Sequence, residues 1–205
     1  MRDLIAELAE VHRSVGREPA DDGEIVRVVM KRTYATTPAD LWAAITEPDR
    51  VRRWFMPITG ELKEGGHFQL EGNAGGDILG CDPPHRLRTT FGGPESLLQL
   101  TLAEQATGQT ELTLDHTVPV AMAGSVAGAL FVGPGWDGAF LGLAQYVAGD
   151  AIGDPQEAAL SPELLPFTRA SISRWTEVVR AAGATPEELE GALAAANAQF
   201  DPQPE

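Results

Sequence analysis

The chain has 205 residues, 43% of them hydrophobic and 22% charged, the proportions of an ordinary globular protein and not of a disordered or fibrous one. Thirty acidic against fifteen basic side chains leave a formal charge of -15, a field that repels phosphate backbones and anionic bilayers, so neither nucleic acid nor a membrane is an expected partner. Its one cysteine, Cys81, excludes an intramolecular disulfide and any CxxC motif; with no signal-like start, a reducing, cytoplasmic location is expected.

Leu4, Ile5, Leu8, Val11 and Val15 recur at helical spacing before Gly16, which predicts a short amphipathic helix, and the polar run after it reads as a linker. Residues 1–23 are therefore expected to be an N-terminal helix and linker, 24–150 the main domain, and 151–205 a C-terminal helical extension. The β-branched run from Glu24 to Tyr34 predicts the first strand. Thr37, Pro38 and Asp40 predict a capped helix start with Asp40 returning a hydrogen bond in a capping box, ahead of the stripe Leu41, Trp42, Ile45. Pro48 restarts the helix so that Val51, Trp54 and Phe55 share a face.

From Met56 to Val118 the period becomes alternating: GHFQLEG, GDILGC, HRLRTTF, SLLQLTLAE and TELTLDHTV predict an antiparallel meander with one wet face. Glycine-rich GNAGGD, 72–77, has no lysine and no helix after it, so it predicts a hairpin turn and not a phosphate loop. The Ala- and Gly-rich stretch up to Gly135 fits a short helix or a loop equally. A long helix follows, with Trp136, Phe140, Leu143, Ala144 and Val147 on one face and Gly149 as its stop. Residues 151–166 read as turns, and two further helices carry Ile172, Trp175 and Val179, then Leu189, Leu193 and Ala196, the second opened by a Thr185–Glu188 capping box. Those apolar stripes predict that both helices dock on the domain.

The order strand, helical pair, meander, long closing helix is an α+β helix-grip arrangement: a curved antiparallel sheet wrapped around a long C-terminal helix, with extra helices at both ends. RTYATTPADLWAAITEPDRVRRWF, EGGHFQLEG, the CDPPHRL turn and GPGWDGAFLGLAQYV make the chain similar to the SRPBCC (START-like) superfamily, in the branch resembling the activator of Hsp90 ATPase homologue family. The resemblance spans roughly 25–147. It implies an apolar cavity between sheet and long helix, used by different relatives for ligand binding, polyketide cyclisation or a chaperone contact; fold alone does not decide among them.

Strand lettering supplies a lining for that cavity: Phe68, Phe91, Leu100 and Leu114 from the sheet, Trp136, Phe140 and Leu143 from the helix, and Trp54 beneath it. The plainer reading is a solid core. Gly135, Gly138 and Gly142 in the closing helix fit either free space or a close approach to the sheet. His116 shares a face with Leu112 and Leu114 and is placed at the polar end of the cavity; a satisfied core histidine fits equally, since spacing dictates no nucleophile or acid for it, nor a histidine for Ser96 or Ser125. Arg32 and Tyr34 are further candidates for that polar end. Asp77, Cys81, Asp82 and His85 lack the spacing of a metal site, so neither metal nor cofactor is expected. The expected function is binding of a small apolar or amphipathic molecule. A cyclase- or dehydratase-type enzyme using His116 or Tyr34 is one alternative, and a co-chaperone-like module with a protein partner is the other.

Overall fold

The alternating segments become the strands of one antiparallel sheet. The computed structural model describes residues 3–150, 153–159 and 161–201. Its strands are β1 (His12–Ala20), β2 (Gly23–Tyr34), β3 (Ile58–Gly60), β4 (His67–Leu70), β5 (Gly75–Asp82), β6 (Arg86–Thr90), β7 (Leu97–Ala106) and β8 (Gln109–Pro119). They lie in the order β1-β2-β8-β7-β6-β5-β4-β3, so one non-sequential pairing, β2 with β8, joins the start of the chain to the end of the meander. Helix α1 (Leu4–Ala9) precedes the sheet, and the β2–β3 connection holds α2 (Pro38–Thr46) and α3 (Pro48–Val51). The helices after the sheet are α4 (Val120–Ala123), α5 (Gly133–Val147), α6 (Pro155–Ala159), α7 (Leu165–Ala181) and α8 (Pro186–Phe200).

Three expectations are corrected. The first helix stops at Ala9, and Val11 precedes and Val15 lies within a strand. The supposed linker is a hairpin: Ala20 pairs with Gly23 across Asp21 and Asp22, and Gly23 takes φ 125°, open to glycine alone. As the sheet edge, β1 tolerates Pro19, whose missing N–H would break an interior ladder. Thr37 caps α2 through Asp40 N, but the Asp40 carboxylate turns away, accepting from Thr36 Oγ1 and Arg50 Nη1 at 2.8 Å each. The capping box does form at Thr185–Glu188. Between β8 and α5 the chain makes α4 and a 3-10 helix, Val126–Phe131. Of the stretch 151–166, residues 151, 152 and 160 lie outside the described residues, and α6 occupies part of the remainder.

One apolar cluster takes in the sheet, α5 and both C-terminal helices, so α7 and α8 dock as expected: Met30, Leu114, Phe140, Trp175, Val179 and Ala196 are all buried within it. Trp175 lies so close to α5 that a Cβ on Gly133 would stand 2.4 Å from its ring. A buried polar knot fixes the same contact. The Asp137 carboxylate, on α5, accepts from Ser171 Oγ at 2.6 Å and Trp175 Nε1 at 3.0 Å on α7, and from Arg13 Nε at 2.9 Å on β1. Burial raises the Asp137 carboxyl above the ordinary range while Arg13, Ser171 and Trp175 oppose the shift. A fully buried carboxyl of this kind is tolerated because donors surround both its oxygens.

Candidate ligand-binding cavity

The sheet and α5 do not close into a solid core. Between them, roofed by α2 and α3, is a cavity of about 360 Å³ lined by 24 residues, at the lower end of the roughly 300–1,000 Å³ of small-molecule sites. Alternation builds its floor: Leu87, Thr89 and Phe91 follow one another along the strand direction of β6, and Leu98, Leu100, Leu112 and Leu114 project to the same side from β7 and β8. Among the described residues no Asp, Glu, Lys, Arg or His lines it.

Eight of the nine residues assigned from sequence border this space: Trp54, Phe68, Phe91, Leu100, Leu114, Trp136, Phe140 and Leu143. Trp54 is half-buried, its Nε1 donating to Ala44 O at 2.9 Å. A Cβ on Gly142 would stand 2.6 Å from Trp54 O, so this glycine serves close approach of α5 to the helical pair, whereas a Cβ on Gly138 would meet nothing and Gly138 does not border the cavity. Residues that the sequence did not single out for the lining include Trp42, Ile45, Cys81 and Thr89. Cys81 arrives there through an irregularity in β5 between Ile78 and Gly80, which breaks the alternation that would put it on one side with Asp77. Asp77 instead points outward and pairs with His67 Nδ1 at 3.0 Å. Burial, then the nearby Glu64 and Asp82, push the Cys81 thiol pKa up.

His116 is not at the polar end of this cavity. It lies behind Phe91 and Trp136, with ring centroids 5.8 Å from each, and borders a smaller space of about 150 Å³ with Val28 and Val132. Both its nitrogens are engaged: Trp136 Nε1 donates to Nδ1 at 3.2 Å, and Nε2 stands 2.9 Å from Ser96 Oγ. Spacing gives Ser96 no histidine; the fold gives it one, with the polarity of catalysis reversed. An indole N–H only donates, so Nδ1 is the acceptor and the proton of the neutral ring is on Nε2, facing Ser96. A base in that tautomer has no lone pair for the serine proton. Burial holds the imidazole pKa down at about 4, which keeps the ring neutral.

Tyr34 and Arg32 do not form a polar end either. The Tyr34 hydroxyl donates to Phe140 O at 3.3 Å and burial pushes its pKa far above the ordinary phenol value, while Arg32 pairs with Glu7 on α1. Among the described residues no three His, Cys, Asp or Glu side chains converge on a metal-sized site, and no helix is long and apolar enough to cross a membrane.

A curved antiparallel sheet gripping a long helix, with an apolar cavity between, defines the helix-grip class. Within that class the chain belongs to the family described as activator of Hsp90 ATPase homolog 1-like protein, whose match spans residues 35–148. It is similar to CalU16 from Micromonospora echinospora: the crystal structure is 34% identical with a TM-score of 0.67, covering 82% of this chain and 98% of that one. The solution NMR structure of CalU16 gives 33%, 0.69, 84% and 97%. DynU16, from the dynemicin biosynthetic locus, is 25% identical with a TM-score of 0.51 over 61% of this chain and 48% of its own. The Hsp90 activator PFC0360w from Plasmodium falciparum, 21% identical with a TM-score of 0.50 over 60% of this chain and 96% of its own, shares the fold. No curated protein matches the chain.

Proposed function

We propose that the protein binds a small, uncharged, predominantly apolar molecule in the cavity between the sheet and α5. The observation that carries the reading is the lining itself: about 360 Å³ of space walled by aliphatic and aromatic side chains with no charged group among the described residues. Such a surface stabilises an apolar guest by removing its hydrocarbon area from water at about 25 cal/mol per Å². Binding is favoured over acid–base catalysis because the titratable candidates are spent on the protein. His116 is locked between Trp136 and Ser96, and Tyr34 is committed to Phe140 O.

Nile red, neutral and sensitive to its environment, tests the reading. Its fluorescence should rise with single-site saturation on the folded chain. Leu114→Trp and Ala139→Phe, which place bulk on opposite walls of the cavity, should each abolish the signal while far-UV circular dichroism and cooperative unfolding persist. Absence of binding to the unaltered chain, or equal binding to folded forms of both variants, would refute it.

A further inference from the structure

Thr89 borders the cavity, and its hydroxyl is left unsatisfied by the fold. Thr89 is 4% exposed, and its Oγ1 is buried without a hydrogen-bond partner. It stands mid-strand in β6, with Ile78 and Leu98 as its cross-strand neighbours and Leu87 and Phe91 two residues either side, all four of them cavity residues. The next residue shows what a buried threonine ordinarily does: Thr90 Oγ1 accepts from Asp77 N at 2.8 Å. Packing does not call for a hydroxyl at position 89, since valine has the same shape and a higher strand preference. Native folds rarely leave such a group orphaned unless something else supplies the partner.

We infer that Thr89 is the polar anchor of the cavity: a turn about χ1 brings its hydroxyl, buried in the wall, to a hydroxyl or carbonyl of a neutral, otherwise apolar ligand. The inference rests on the proposed ligand-binding function and narrows the class of molecule. A threonine hydroxyl both donates and accepts, so it serves an alcohol, a phenol or a ketone alike. A carboxylate in the same position would lose its hydration with no cation on the wall to replace it. The site therefore discriminates three molecules of one shape: hydrocarbon, alcohol and acid.

Naphthalene, naphthol and naphthoate are such a set, and their displacement of Nile red from the full chain reads the preference directly. Naphthol should bind about tenfold more tightly than naphthalene, and naphthoate more weakly than either. Thr89→Val should shrink the naphthol preference below about twofold without weakening naphthalene, and Thr89→Ser, which keeps the hydroxyl, should restore it. Because the valine removes an orphaned hydroxyl, the unliganded Thr89→Val protein should also melt about 2–4 °C higher than the parent. A naphthol preference that survives Thr89→Val, or tightest binding by naphthoate, overturns the anchor while leaving the cavity reading intact. Failure of all three compounds to displace the bound dye likewise overturns the anchor alone, whereas failure of Nile red itself to bind overturns both.

Discussion

Acid should destabilise this protein through His116, whose ring is buried. Burial lowers the folded pKa of His116 from 6.5 to about 4, and the neighbouring Asp115 opposes the shift only in part. In the unfolded chain the ring takes up a proton below pH 6.5, whereas in the folded chain it stays neutral until about pH 4. Its contribution is thus complete above pH 6.5 and is lost progressively as the pH falls to about 4. The loss amounts to about 3 kcal/mol across that window, or about 1.4 kcal/mol per pH unit inside it. Carboxylates lose stabilising partners over part of the same range, so the assay is a difference. Urea unfolding of the parent and of His116→Gln is followed from about pH 7.5 to about pH 4.5, the range in which a buried histidine takes effect. Near neutrality the variant should be less stable by about 1–3 kcal/mol, since Trp136 Nε1 and Ser96 Oγ lose their partner geometry. That gap should close on acidification, because glutamine does not titrate. Parallel losses in the two proteins, or a His116 ring resonance with a midpoint near the free-histidine value, would show that the ring is neither dry nor locked.

Two further outcomes test other parts of the structure. Asp137→Asn keeps the shape of the buried knot but leaves the Arg13 guanidinium without its counter-charge, and should cost about 3–5 kcal/mol in urea unfolding; a loss below about 1 kcal/mol would show the carboxyl to be uncharged in the fold. Cys81, with its thiol pKa raised, should react with N-ethylmaleimide at neutral pH more slowly than free glutathione does, and saturating Nile red should slow it further; an unchanged rate with the dye bound would place the dye elsewhere.

The parts of the fold legible in the sequence are those where burial on one face imposes a period. TELTLDHTV alternates because Leu112, Leu114 and His116 point inward, and it forms β8. The α5 stripe and the Thr185 capping box are local in the same sense. The N-terminal hairpin is not legible, because Leu4, Leu8, Val11 and Val15 satisfy a helical spacing by coincidence across a helix and a strand; the turn at Asp21 and Asp22 before a β-branched run is the signal available. The cavity wall is largely readable from strand parity, and the reading fails where parity fails, at the β5 irregularity that turns Cys81 inward. Thr89 has the strand parity of Leu87 and Phe91, but a polar side chain there carries no apolar mark of a wall residue. The partners of His116 lie on a hairpin entry and on a distant helix, and no spacing of residues encodes a contact that depends on the register of β7 with β8 and the docking of α5.

The Asp137 knot also bears on where this protein begins and ends as a folding unit. The family match, residues 35–148, contains the carboxylate, but Arg13, Ser171 and Trp175 all lie beyond its limits. Cut to that segment, the chain would lose every one of these donors to the carboxylate and would bare to water the face of α5 on which Trp175 rests. The flanking hairpin and helices thus act as the two hands of a clasp that meet on one side chain, and the limits of the family match are not limits of the folded unit.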